Sequence, residues 1–376
     1  MNDFGIIDLI LVLGISQGFF LAITLQLVRN KNISANKILS IILIMAAFML
    51  FGRVVFFRYS GILLHKIAGY ADAVIFVFGP LVYMYVRRLT FKESPAYKLS
   101  LYHYIPLVLI LTFCTWTLFY TKKELMYFAK TGVVPLVQIF NIIVYGALIS
   151  NFLYCFKSYR LVNIFKKEEK NNLSYSQSVI PFLYTFLGAI TLFLLLWTIS
   201  FMSRYFKIYN LYFFDYDYVW ISIPIFVYVV GFYSLRQPEI FRVPLKITAK
   251  KKKNKNRLQG EMLKQLQDDL EYLMVTEKVY LDNTLTLQGL SEKLGFSTND
   301  VSWLLNNIHQ CTFYDYINQY RVQAFIEKIE RGEHNAHTLL ALSLDSGFNS
   351  KSTFNKAFKT LMNDTPTEYI KKLTVI

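Results

Sequence analysis

Apolar residues come in long blocks over the first two thirds of the chain and in periodic stripes over the last third. Seven blocks run to roughly 20 residues each: about Ile6–Val28, Lys37–Phe57, Ile67–Val86, Leu101–Tyr120, Val134–Phe156, Pro181–Met202 and Tyr216–Leu235. A helix of that length crosses the ~30 Å hydrocarbon core of a bilayer. A soluble helical core could hold one such block; seven in succession predict a polytopic membrane bundle. Asp3 and Asp8 stand at the start of the first block, and Arg29, Lys31 and Lys37 follow it. That is not the basic-then-apolar layout of a cleaved signal peptide.

After Leu235 the pattern changes. Arg242–Arg257, RVPLKITAKKKKNKNR, holds eight Lys and Arg and no acid. Such a run is a solvated juxtamembrane segment drawn to anionic lipid, and it could also touch nucleic-acid phosphates. Beyond it the apolar spacing becomes three and four. Leu263, Leu266, Leu270 and Leu273 form a short seam that suits either a helix packed on its own domain or a dimer contact. Leu285, Leu287, Leu290 and Leu294 make a stripe, Gly295 breaks it, and Ser297 can cap a following helix. That helix buries Val301, Leu304, Leu305 and Ile308. Phe313–Ile329 reads as a joining helix. The same grammar then repeats. A helix over Thr338–Asp345 turns Leu339, Leu342 and Leu344 inward, and Ser346-Gly347 stops it. Ser350 caps Lys351–Leu361, whose Phe354, Ala357, Phe358 and Leu361 share one face. The opposite face, Lys351, Ser352, Asn355, Lys356 and Lys359, is polar and cationic. The whole chain therefore predicts as all-α, with a bundle over 1–240, a linker over 241–257 and a helical domain over 258–376. Two helix-turn-helix units fall at about 285–309 and 338–362.

A short polar helix held across a compact partner has the shape that enters a DNA major groove. The stretch resembles the C-terminal DNA-binding module of the AraC family of bacterial transcription regulators. Gly347-Phe348, Ser350, Phe354, Phe358-Lys359, TPTEYI (Thr365–Ile370) and YINQYRVQA (Tyr316–Ala324) carry the likeness, which covers about a third of the chain. FGPLVYMYVRRLT (Phe78–Thr90) and HYIP (His103–Pro106) carry a weaker likeness to membrane-bound members. The resemblance implies two recognition helices that enter successive major grooves on one face of the duplex, here joined to the seven-helix membrane domain that the apolar blocks predict. Base-facing candidates by position are Asn299, Ser302, Trp303 and Asn306, then Lys351, Ser352, Asn355, Lys356 and Lys359. It also implies double-stranded DNA as partner, a contact with RNA polymerase, room for a homodimer, and activation more often than repression. Ser291 and Ser343 stand where the family usually has Ala, and Gln310 and Asn363 where it often has Gly. Of these two, Asn accepts the left-handed backbone more readily.

Charge refines this picture. The net +15 divides into +19 over residues 1–260 and −4 over 261–376. The DNA module is thus slightly acidic, so Lys351, Lys356, Lys359 and neighbouring basic segments must supply its attraction to phosphate. Basic residues number 12 in loops one, three and five, against 7 in loops two, four and six. That bias places the N-terminus outside a bacterial inner membrane. Seven crossings then bring the C-terminus to the cytoplasm.

Polar groups in the blocks are costly and point to structure or sensing. Arg53 and Asp72 are placed to pair. Tyr209, Tyr212, Asp215 and Asp217, in SRYFKIYNLYFFDYDY, suit an outer aromatic belt or the rim of a site for a small-molecule or envelope signal. Spans six and seven contain no Lys, so a retinal Schiff base is unsupported. Cys114, Cys155 and Cys311 show no metal or disulfide spacing, and no cofactor or metal is expected. An intramembrane enzyme lacks a nucleophile elbow, a phosphate loop or a metal cluster. The competing reading is a receptor or transporter whose C-terminal helices dock a protein. The polar face at Lys351–Lys356 argues against it, since a docking surface is more often apolar.

Overall fold

The computed structural model describes residues 5–27, 32–58, 70–71, 73–91, 96–121, 123–124, 127, 131, 135–206, 216–236 and 260–373. Asp72, Tyr209, Tyr212, Asp215 and the basic linker therefore lie outside the described residues. The chain is all-α and divides into two compact units. One comprises 1–163 and 178–248; the other comprises 164–177 and 249–376.

The first unit contains α1 (Ile6–Leu27), α2 (Ile33–Arg58), α3 (Ile75–Thr90), α4 (Ile105–Thr117), the first part of α5 (Pro135–Asn172), α6 (Val179–Tyr205) and α7 (Tyr216–Arg236). Every one of the seven apolar blocks thus yields a helix. Five helices among the described residues are long and apolar enough to cross a membrane: Ile6–Leu27, Ile33–Val55, Gln138–Asn172, Val179–Ser203 and Asp217–Arg236. The third and fourth blocks fall short of the expected spans. The helix of the third starts at Ile75 and runs past Val86 to Thr90. Its last turn carries Arg87 and Arg88, which suit the negative end of a helix. Arg87 stacks on the Tyr97 ring, 4.0 Å away, and Arg88 Nε donates to the Tyr97 carbonyl at 2.9 Å. In the fourth block a 3₁₀ turn, Leu101–Tyr104, precedes α4. Pro106 sits in the first turn of α4, where its missing N–H costs nothing.

Close approach holds these helices together. α1 packs along α2 and α7, α6 along α7, and α2 against α3. A β-carbon at Gly14 would sit 2.8 Å from Pro224 Cγ of α7, and one at Gly18 would sit 3.2 Å from Ala47 Cβ of α2. Small residues at such crossings replace the hydrophobic drive that lipid cannot supply. Hydrogen bonds add to the packing: Gln26 Nε2 donates to Ser40 Oγ, and Asn151 Nδ2 to the Ile75 carbonyl. Phe20, Ile23, Leu195 and Phe232 face outward, so the exterior is apolar as well as the core.

The second unit holds α8 (Glu261–Val275), α9 (Leu287–Leu294), α10 (Thr298–Asn307), α11 (Phe313–Glu330), α12 (Leu339–Asp345), α13 (Lys351–Met362) and α14 (Pro366–Leu373). Two cores flank α11. Leu266, Leu270 and Leu273 of α8 pack with Leu287, Leu290, Leu294, Val301, Leu304 and Leu305. The leucine seam is therefore the inner face of a helix packed on its own domain. Val322, Phe325, Ile326 and Ile329 of α11 pack with Leu342, Phe348, Phe354, Ala357 and Phe358. α11 is buried on both sides because it contributes to both cores. Ile308, Leu344 and Leu361 depart from expectation: all three are exposed. Ile308 follows the last turn of α10, and the core on that side closes with Leu304 and Leu305. Leu344 and Leu361 sit at the edges of their stripes, beyond the reach of α11.

Candidate nucleic-acid interface

Local chemistry sets each helix of the interface. Thr286 Oγ1 accepts from the Gly289 N–H and Ser297 Oγ from the Asp300 N–H, each capping the helix it precedes. Thr338 and Ser350 do the same for α12 and α13, through Ala341 and Thr353. Each such cap contributes about 1 kcal/mol. Gly295 ends α9 at φ 71°. Gln310 follows α10 at φ 52° and Asn363 ends α13 at φ 58°, so both residues that replace the family's Gly take the left-handed backbone. Ser291 and Ser343 are buried, as small residues in those positions must be.

α13 rests on aromatic rings. Phe354 lies 4.6 Å from Phe325 and 5.2 Å from Phe348, and Phe358 lies 5.5 Å from Tyr369. That packing leaves Lys351, Ser352, Asn355, Lys356 and Lys359 exposed together on the outer face. α10 presents Asn299, Trp303 and Asn306. Ser302 does not join them. It is buried, and Asn306 Nδ2 donates to its carbonyl at 2.6 Å. Its position one residue after Val301 turns it toward the core, where its small side chain fits.

Arg321 is the residue of this unit that pattern reading passed over. It stands within the motif of the joining helix, yet it is fully buried. Its Nε donates to the Tyr280 carbonyl at 2.7 Å and its Nη2 to the Asp282 carbonyl at 2.7 Å. Its Nη1 donates to the Ser174 carbonyl at 2.9 Å. Burial pushes the guanidinium down to about 10, which leaves it charged at neutral pH. Gly347, at φ 91°, lies against the same carbonyls: a β-carbon there would overlap the Tyr280 oxygen and come 2.8 Å from Leu281 Cα. The turn of the second helix-turn-helix and the segment leading into the first helix-turn-helix thus meet over Arg321.

In the first unit, Arg53 and Asp72 were the expected pair. Asp72 lies outside the described residues; Arg53 Nη2 bonds Asp217 Oδ1 at 2.8 Å, and the guanidinium lies 5.5 Å from the centre of the Trp220 ring. The two sensing candidates Arg53 and Asp217 are therefore brought together, from α2 and α7. Among the described residues no group of His, Cys, Asp and Glu could hold a metal, and none of the three cysteines is in a disulfide.

A family model described as a helix-turn-helix domain matches residues 290–372. The matched stretch runs from α9 to α14 and includes α10 and α13. No curated protein and no solved structure matches the chain significantly. The fold and the match define a class. The protein joins an AraC-type helix-turn-helix DNA-binding domain to an N-terminal region of long apolar helices.

Proposed function

We propose that the protein is a one-component transcription regulator embedded in a bacterial inner membrane. Seven spans place the N-terminus outside and the DNA-binding domain in the cytoplasm. At 16 residues α3 is about 24 Å long, a short span for a ~30 Å core. α13 reads bases through Lys351, Ser352, Asn355 and Lys356, with Lys359 on phosphate. α10 contributes Asn299, Trp303 and Asn306. A signal reaching the bundle, from a small molecule or the envelope, alters the affinity of the domain for DNA, and its differential binding to two bundle states supplies the energy. The joined Arg53 and Asp217 are the sensing candidates the geometry favours.

The observation that carries this reading is the exposed cationic face of α13, held on a fully packed aromatic core. Chromatin capture of the tagged full-length protein tests it, comparing wild type with Lys351→Ala/Lys356→Ala. Enrichment at discrete promoters that disappears in the variant is expected. Equal, diffuse recovery from both would favour the protein-docking alternative.

A further inference from the structure

Residues Ile164–Gln177 lie in sequence between the fifth and sixth apolar blocks, yet they belong to the DNA-binding unit. At 38 residues, α5 is about 57 Å long, nearly twice the thickness of a hydrocarbon core. Its apolar block ends near Phe156, and Lys157–Asn172 form the polar turns beyond it. The chain then inserts. Leu173 faces Thr286 in an isolated antiparallel bridge. Ser174 is fully buried, and its Oγ donates to the Leu285 carbonyl at 2.7 Å. The Ser174 carbonyl accepts from Arg321 Nη1 and from Asn318 Nδ2, the latter at 3.0 Å, and its Oγ accepts from Arg321 Nη2 at 3.1 Å. The segment completes the acceptor set of a buried charge.

Two points of this docking fall on or near groups that the DNA-binding reading above would use. Thr286 caps α9, the helix end whose N–H groups suit a phosphate. Glu169, buried on the same segment, lies within electrostatic reach of Lys356 on α13. Once ionised, above about pH 7, the Glu169 carboxyl opposes a phosphate arriving at Lys356.

We propose that the polar site around Arg321 is a receptor for the chain's own segment Leu173–Gln177, and that docking of this segment and DNA engagement by α13 exclude one another. The first half stands on geometry alone; the second rests on the DNA-binding reading above. The segment is joined directly to α5 and α6, so movement of either helix acts on Arg321 without passing through the basic linker.

Disulfide trapping in native membranes tests both halves. The full-length variant Leu173→Cys/Thr286→Cys is made in a background of Cys114→Ala, Cys155→Ala and Cys311→Ala, with a protease site in the linker between Arg242 and Arg257. Residues opposed in an antiparallel pair lie about 4.5–5.5 Å apart, within disulfide reach. After oxidation and cleavage the C-terminal piece is expected to stay joined to the membrane piece. Release as complete as in Leu173→Cys alone would overturn the docking. Genomic DNA retained by the oxidised form is expected to be at least about fivefold below that of the reduced form; equal or greater retention overturns the exclusion. Replacing Leu173–Gln177 by a Gly-Ser run of equal length leaves the Thr286 cap intact. It is expected to raise retention above wild type, and unchanged or lower retention also overturns the exclusion. Wild-type retention judges the DNA-binding reading separately, while the gel judges docking whatever the DNA result.

Discussion

Gly347 and Glu169 each hold a conformation or an environment that other residues would refuse. Gly347 combines a left-handed φ of 91° with a backbone carbonyl where a β-carbon would go. Gly347→Ala is therefore expected to destabilise the DNA-binding unit by about 3 kcal/mol, from strain and overlap together. Chemical denaturation of the purified protein measures this. Glu169 works through charge. Burial pushes its carboxyl up to about 7, against the Gln177 N–H it accepts from and the charges of Lys356, Lys166 and Lys170. Tyr175 and Tyr314 face the same carboxyl. A carboxyl raised in the docked state makes docking bind a proton. Its contribution is full below the ordinary carboxylate value and is lost as pH rises through about 7. Trapping of the Leu173→Cys/Thr286→Cys pair, relative to the same pair carrying Glu169→Gln, is thus expected to fall between pH 6 and pH 8. A ratio flat with pH would remove Glu169 from the docking balance.

Among the elements, α13 shows how far an apolar stripe can be trusted. Phe354 and Leu361 lie on one face by spacing, yet Phe354 is 2% exposed and Leu361 41%. Phe354 is surrounded by Phe325, Phe348 and Phe358, whereas Leu361 sits at the edge of the face. Phe354→Ala is expected to cost about 3–5 kcal/mol and Leu361→Ala less than about 1 kcal/mol. Thermal melts of the two variants would reveal the difference. Equal losses would mean that the stripe, and not its partner α11, sets the burial. The caps were more legible. Ser297 and Ser350 do what their positions predicted, because capping depends on two or three neighbouring residues and little else. Ser302 was not legible in this way. A small hydroxyl side chain fits either face, and only the packed neighbour decides.

For the molecule as a whole, lipid and DNA make opposite demands, and the chain meets them with separate units. Under the proposed seven-span reading, the basic bias of the odd loops would put the C-terminus with the genome. A reporter fused after Ile376 is expected to be active only in the cytoplasm. Activity confined to the outer compartment would rule out DNA reading in place.

The sequence alone determined the apolar blocks, both helix-turn-helix units and the cationic face of α13, while only the structure joined Ile164–Gln177 to the C-terminal unit. Hydropathy, periodicity and capping are local properties, written in side chains that stand close together. Only the tertiary structure decided that Arg53 meets Asp217, that Ser302 turns inward, and that Ser174 completes the site of Arg321. Arg53–Asp217 and Ser174–Arg321 join residues more than a hundred positions apart. The acceptors around Arg321 are mostly backbone carbonyls, at Ser174, Tyr280 and Asp282. Every residue carries that group, so no pattern of residue types could have marked them.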